Sequence, residues 1–158
     1  MTSWLLVAMA LHVPFFPQQK NGCGAASVAM VAHYWQPRLG AVPSSAEIYQ
    51  RLYDPSRGGI ALSGMKSFLE ELGLRAFTLH AEWNDLAAHT AKGRPAIVGL
   101  RKKAEGELHF VVVTGIEERH AWVQDPARRK PRTMKREDFE KQWRFGENWM
   151  LLAAPAGP

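Results

Sequence analysis

Apolar residues in the first half of the chain recur at helical spacing between turn signals. The apolar run that begins at Ala25 predicts a buried helix, which Pro37 is expected to stop. Ser44 and Glu47 form a capping-box pattern, and Ser63 is predicted to cap a further helix. The predicted helices of this half cover residues 25–35, 44–53, 64–72 and 82–92.

In the second half, the pattern changes to two-residue alternation and to continuous apolar runs, which are typical of strands. A charged hairpin loop is expected over 101–106, and a helix over 136–143. The predicted strands cover residues 74–79, 96–100, 108–114, 121–125 and 149–153. Together these elements predict an α+β fold, with an N-terminal helical half packed on a mostly antiparallel C-terminal sheet.

The composition limits the chemistry that the chain can support. A length of 158 residues with 46% hydrophobic content fits one globular domain, expected over 13–154. A single cysteine excludes an internal disulfide framework, and the six histidines show no metal-binding spacing. We therefore expect neither a metal site nor a cofactor.

The net charge of +5 comes largely from basic residues between 128 and 136. Such a run can bind nucleic acid or an anionic membrane, but no recognition helix or RNA-binding aromatic motif accompanies it. The segment is therefore predicted to be a solvated loop, and no nucleic-acid partner is expected. Binding to nucleic acid, the alternative, would weaken steeply with salt.

Residues 1–12 form a separate apolar N-terminal segment. It is too short for a membrane span of about 20 residues and lacks the early basic residues of a secretory signal. Three interpretations stay open: a degenerate signal, a signal shortened by a misplaced start, or an N-terminal strand. If this segment is a signal, the protein is exported, periplasmic or membrane-associated. If it is not a signal, a cytoplasmic protein is expected.

The only cysteine, Cys23, lies where a loop rich in Pro, Asn and Gly meets the first predicted helix. Unpaired N–H groups in the first turn of a helix favour an anion, and this environment lowers a thiol pKa. Gln18 precedes Cys23 by five residues and can fold back to donate its amide to an oxyanion. This short segment therefore holds a candidate nucleophile and a candidate oxyanion donor.

His109 interrupts an otherwise aliphatic strand, and Asp125 ends the next strand just before Pro126. If the two strands form an antiparallel pair, the carboxylate of Asp125 lies beside the imidazole of His109. A carboxylate there would fix the tautomer of the ring and stabilise its cation. With Cys23 these residues are candidates for nucleophile, base and orienting group.

These segments resemble the bacteriocin-processing (double-glycine leader) peptidases, a papain-like cysteine peptidase family found in peptide-exporting ABC transporters and in stand-alone relatives. The resemblance rests on Gln18 and on the runs 23–30, 94–98, 109–115 and 124–126, and it covers about 13–152. It implies a papain-like fold, with Cys23 as nucleophile and His109, Asp125 and Gln18 as base, orienting group and oxyanion-hole residue.

The sequence departs from the family's transporter members in two ways. Gly22 stands where those members usually carry an acidic residue, and no transmembrane segment or P-loop occurs within these 158 residues. We therefore expect a stand-alone relative acting on a peptide or protein substrate, with a separate transporter or partner protein left open.

The predicted function is peptide-bond hydrolysis by a cysteine peptidase, with small residues of the Gly-Gly type before the cut. Two alternatives use the same fold. A papain-fold thiol acyltransferase or deamidase would use the same side chains, and a non-catalytic module would only bind peptide.

Overall fold

The computed structural model describes residues 10–157, and within this range the chain forms six helices and eight strands. The helices are α1 (Cys23–Tyr34), α2 (Gln36–Leu39), α3 (Ser45–Leu52), α4 (Leu62–Glu71), α5 (Trp83–Ala91) and α6 (Arg136–Phe145). The strands are β1 (Tyr53–Asp54), β2 (Gly59–Ile60), β3 (Leu74–His80), β4 (Ala96–Leu100), β5 (His109–Ile116), β6 (His120–Gln124), β7 (Arg132–Lys135) and β8 (Trp149–Pro155).

Six of the strands form one antiparallel sheet in the order β3-β8-β4-β5-β6-β7, while β1 and β2 form a small separate hairpin. The predicted α+β class is confirmed. Helices cover both faces of the sheet: α1 and α4 contact one face, and α5 and α6 the other. This arrangement explains why the middle of β5 is apolar without alternation, because Val112 packs in one core and Val111 and Val113 in the other.

Helix α1, which carries Cys23, is buried over most of its length. Every residue from Gly24 to Ala32 is buried, so the helix contacts protein on all sides rather than along one stripe. Its alanines allow the neighbouring elements to approach closely, and Val28 and Met30 are completely inaccessible to solvent. The start of α1, where Cys23 lies, is therefore fixed firmly against the sheet.

Several predicted boundaries need correction. Ser63 does not cap α4, because the chain enters the helix directly after β2 and Ala61 is the N-cap residue, without a side-chain hydrogen bond. Pro37 lies in the first turn of the short α2, and α1 has already ended at Tyr34. Ser44 does cap α3, accepting a hydrogen bond from the backbone N–H of Glu47.

The basic segment between 128 and 136 is not a solvated loop throughout. Residues 132–135 form the edge strand β7, which pairs with β6. Met134 points into the core while its neighbours Thr133 and Lys135 are exposed, so the strand follows the expected two-residue alternation. Charged side chains protect such an edge from pairing with another chain.

The predicted N-terminal segment lies mostly outside the described residues, which begin at residue 10. Residues 10–12 have no regular secondary structure, although the N–H of Leu11 donates a hydrogen bond to the carbonyl of Thr114.

The end of α6 packs unusually close to the end of β4. A Cβ atom placed on Gly146 would overlap the backbone carbonyl of Gly99, lying 2.9 Å from its carbon. The N–H of Arg101 donates to the carbonyl of Gln142, and the Arg101 guanidinium donates to the carbonyl of Phe145. Backbone atoms on both sides leave no room for a side chain at position 146.

We predict that Gly146→Ala lowers the free energy of unfolding by about 2 kcal/mol, because overpacking against rigid backbone is costly. Gly59→Ala is the matched control, since a Cβ atom at that glycine meets no atom within 4 Å. Urea titration followed by circular dichroism would measure both. Equal stability of the two variants would contradict this account of the contact.

Candidate active site

Cys23 is the first residue of α1 and is half-buried. The backbone N–H groups of Gly24 and Phe110 are directed at its sulfur, and so is the imidazole of His109. No acidic side chain lies in the first turn of the helix. The thiol is thus surrounded by groups that favour a negative charge.

The loop before Cys23 is held by α3. The hydroxyl of Tyr49 donates a 2.8 Å hydrogen bond to the carbonyl of Lys20, and the Tyr49 ring lies against Gly22. A Cβ atom on Gly22 would come within 2.7 Å of that ring. Gly22, the position that departs from the transporter members, therefore gives Tyr49 the space to fix the loop.

His109 and Asp125 are brought together by the pairing of β5 with β6. His109 is the first residue of β5, Asp125 directly follows β6, and Val112 is the register partner of Gln124. Nε2 of His109 lies 2.6 Å from Oδ1 of Asp125. The other ring nitrogen, Nδ1, is therefore the one that faces Cys23.

Further contacts hold the Asp125 carboxylate in place. Its side chain is only 6% exposed, and Oδ1 also accepts a 2.9 Å hydrogen bond from the N–H of Ala127. Oδ2 lies 3.7 Å from the guanidinium groups of both Arg128 and Arg132. The carboxylate thus faces one imidazole and two permanent cations.

These contacts shift the pKa values of the three groups. Burial acts to raise the pKa of the Cys23 thiol, but the hydrogen bond and charge of His109, together with the backbone N–H groups of Phe110 and Gly24, lower that pKa overall. Burial acts to lower the pKa of His109, yet Asp125 and Cys23 together raise it to about 9. Both shifts favour a thiolate beside an imidazolium over the neutral pair.

The pKa of Asp125 follows the same balance. Burial acts to raise it, but the hydrogen bonds from His109 and Ala127 and the charge of Arg132 bring it below its ordinary value. Asp125 is therefore an anion at neutral pH, as stabilising the imidazolium requires.

The structure places Gln18 beside the strand end that carries Asp125. The N–H of Gln18 donates a 3.0 Å hydrogen bond to the carbonyl of Pro126. Its side-chain oxygen is buried and has no hydrogen-bond partner in the part of the chain that the structure describes. The role of Gln18 stays a prediction.

Sequence reasoning missed Arg128 and Arg132, because the basic segment was interpreted as solvated. The alternation of exposed and buried positions around Met134 could have indicated a strand. Arg132, at the start of this strand, is the arginine that points towards Asp125. Phe110 was also missed, since its contribution is a backbone N–H that no side-chain pattern reveals.

A cavity of about 790 Å³ adjoins the His109–Asp125 pair. Within residues 10–157, no cluster of three or more His, Cys, Asp or Glu side chains is arranged to hold a metal ion. None of the helices in the same range is long and apolar enough to span a membrane.

A comparison with protein families gives a match over most of the chain. The family model described as Peptidase C39 family matches residues 13–156. A search of curated protein sequences found no match.

Several solved structures share the fold. A double glycine motif protease from an AMS/PCAT transporter, crystallised with the leader peptide, is 23% identical with a TM-score of 0.73, covering 93% of this chain and 94% of that one. A C39-like peptidase from Bacillus anthracis is 17% identical with a TM-score of 0.74, covering 96% and 99%. The peptidase domain of Streptococcus ComA is 24% identical with a TM-score of 0.72, covering 92% and 100%.

At these identities the structures show that the fold is shared, and they confirm the papain-like arrangement expected from the resemblance. The family model carries the assignment further, because its match extends over nearly the whole chain. The chain belongs to the peptidase C39 family and is a cysteine-type peptidase.

Proposed function

We propose that this peptidase hydrolyses peptide bonds after small residues with a triad of Cys23, His109 and Asp125, assisted by Gln18. The observation that carries the proposal is the position of His109, whose Nε2 bonds Asp125 while its other nitrogen faces Cys23. Cys23, His109 and Asp125 thus form a connected line, in which they can act as nucleophile, base and orienting group.

In the proposed reaction, the Cys23 thiolate attacks the carbonyl carbon of the scissile bond, and His109 carries the proton. The carbonyl oxygen becomes an oxyanion. When the tetrahedral intermediate collapses, the C–N bond breaks and the imidazolium of His109 protonates the leaving amine. Water, deprotonated by the now neutral His109, then attacks the thioester and releases the acid product and the thiol group.

The oxyanion is stabilised by the backbone N–H of Cys23 and the side-chain amide of Gln18. An oxyanion donor has to be held in place before the reaction, and the hydrogen bond from Gln18 to Pro126 supports this role. Because Pro126 follows Asp125 directly, the same chain segment anchors the oxyanion donor and the orienting carboxylate.

The substrate preference is proposed from similarity. The double glycine motif protease whose fold this chain shares was crystallised with a leader peptide. A narrow papain-like cleft admits small residues before the cut and excludes larger ones, so we propose cleavage of Gly-Gly-type sequences. The proposed peptidase is a single domain over 13–154.

We predict that the protein cleaves a peptide with Gly-Gly before the scissile bond and leaves a matched Val-Val peptide uncut. Cys23→Ala should lower turnover at least about 10⁴-fold, the cost of removing a triad nucleophile. Mass spectrometry would record the products, and thermal unfolding would verify that the variant is folded. Turnover retained by folded Cys23→Ala would exclude the proposed nucleophile.

We predict that alkylation of Cys23 by iodoacetamide titrates below the ordinary thiol pKa of 9.0. Because burial alone raises that pKa, His109→Gln should move the alkylation midpoint upward and slow the reaction at neutral pH. Cys23 is the only cysteine, so the rate reports one thiol. His80→Gln, at an exposed histidine, is the matched control, and identical profiles for all three proteins would contradict the ion pair.

We predict that Asp125→Asn retains more activity than Asp125→Ala. The asparagine oxygen can still accept the hydrogen bond from Nε2 and orient the ring, as in papain-like Cys-His-Asn sites, so its kcat/KM should fall less than that of the alanine variant. The alanine variant, without an acceptor, should lose at least about 10³-fold. Kinetics with the Gly-Gly peptide would compare them, and equal losses would argue against an orienting role.

A further inference from the structure

The cavity beside the active site is large enough to hold part of a ligand. Its volume of about 790 Å³ lies within the range of small-molecule and peptide side-chain pockets. It lies between the loop that precedes β5 and the segment that follows β6, and it reaches His109 and Asp125. Cys23 is not among its lining residues.

The lining of this cavity has an excess of positive charge. Besides His109, four cationic side chains face two acidic ones: the cations are Lys102, Lys103, Arg128 and Arg132, and the acids are Glu107 and Asp125. The hydrogen-bonding capacity of Asp125 is directed at His109 and Ala127. The cavity therefore presents more cationic groups than its own carboxylates can balance.

Hydrogen-bond donors in the cavity are also unused. Arg132 approaches Asp125 only to 3.7 Å and keeps 31% of its side chain exposed. Neither Lys102 nor Lys103 forms an ion pair within residues 10–157, and Arg128 approaches Asp125 only to 3.7 Å with its side chain 55% exposed. A carboxylate is the ligand that matches guanidinium and ammonium donors arranged in this way.

The position of the cavity relates it to one side of the scissile bond. In the proposed reaction, His109 protonates the leaving amine, so the residues after the cut lie on the His109 side of Cys23. The cavity adjoins His109 on its Asp125 side. A substrate segment that leaves the active site in this direction passes next to the cationic lining of the cavity.

We infer that this cavity is a specificity subsite for acidic side chains in the substrate segment that follows the scissile bond. The inference rests on the proposed function, because the direction of the substrate follows from the role of His109. The established assignment to a cysteine peptidase family specifies no such preference.

The test uses fluorescent peptides that share Gly-Gly before the cut and differ after it. The segment after the cut is Asp-Ala-Asp-Ala, Asn-Ala-Asn-Ala or Lys-Ala-Lys-Ala, with an amidated C-terminus so that only side-chain carboxylates are offered. A fourth peptide, Asn-Ala-Asn-Ala with a free C-terminus, separates a terminal carboxylate from a side-chain one.

For the wild-type protein, we expect kcat/KM for the Asp peptide to exceed that for the Asn peptide by about fivefold at low salt, and the Lys peptide to be poorest. Raising the salt concentration should reduce this ratio, since the cationic groups are partly exposed. The free-acid Asn peptide should resemble its amidated form. A preference for the free acid alone would overturn the side-chain assignment.

Paired variants locate the preference. Lys102→Gln/Lys103→Gln should lower the ratio of Asp to Asn peptides towards one, with Arg128 and Arg132 retaining part of the preference. The matched control is Arg129→Gln/Lys130→Gln, which removes the same charge from exposed residues outside the cavity and should keep the wild-type ratio. A ratio that falls equally in both variants would indicate a general charge effect and would overturn the subsite.

A binding measurement separates this inference from the proposed function. Fluorescence anisotropy with the Cys23→Ala variant compares the affinities of the Asp and Asn peptides without any cleavage. Tighter binding of the Asp peptide that depends on the two lysines supports the subsite even if no peptide is cut. Cleavage and binding without charge preference would overturn the subsite and leave the peptidase proposal intact. Displacement of the Asp peptide by a more tightly bound single-stranded oligonucleotide would show a polyanion site and also overturn it.

Discussion

The hydrogen bond between His109 and Asp125 is the interaction on which the charge of the whole site depends. Half-burial on its own favours a neutral imidazole and a neutral thiol, because the charged forms lose hydration. The buried carboxylate reverses this preference for the ring, and the charged ring, with the backbone N–H groups of Phe110 and Gly24, lowers the pKa of the sulfur. Removing the anion would therefore change the protonation of two groups, only one of which it touches.

The complete site exists only because two layers of the fold, the sheet and α1, meet at one place. The β5–β6 register sets the separation of His109 and Asp125, while α1 brings the sulfur to the same end of the sheet. Helices on both faces prevent the central strands from moving, and the burial of α1 from Gly24 to Ala32 fixes the helix start. The precision of the site thus comes from close packing well away from it.

Local sequence patterns predicted the elements well, because apolar periodicity reports which face of a helix or strand is buried. The α+β class was predicted in this way and is confirmed. The peptidase family, which was expected from the resemblance of the sequence motifs, is confirmed as well. The pattern could not reveal which strands are neighbours, since β3 pairs with β8 across much of the chain. It also failed at Ser63 and at the basic segment, where tertiary contacts overrode local preference. His109 and Asp125 do lie together as expected, because a short turn connects their strands.

The contact of Tyr49 with Gly22 has an evolutionary consequence. The ring occupies the space of any side chain at position 22, and both its hydroxyl bond to Lys20 and its stacking on Tyr53 resist displacement. A mutation at position 22 alone would collide with the ring, and a smaller residue at position 49 alone would leave the loop unsupported. Positions 22 and 49 are therefore expected to covary among relatives, with a larger residue at one position accompanied by a smaller residue at the other. Exchanging one pair of residues for the other by single mutations would pass through a less stable protein.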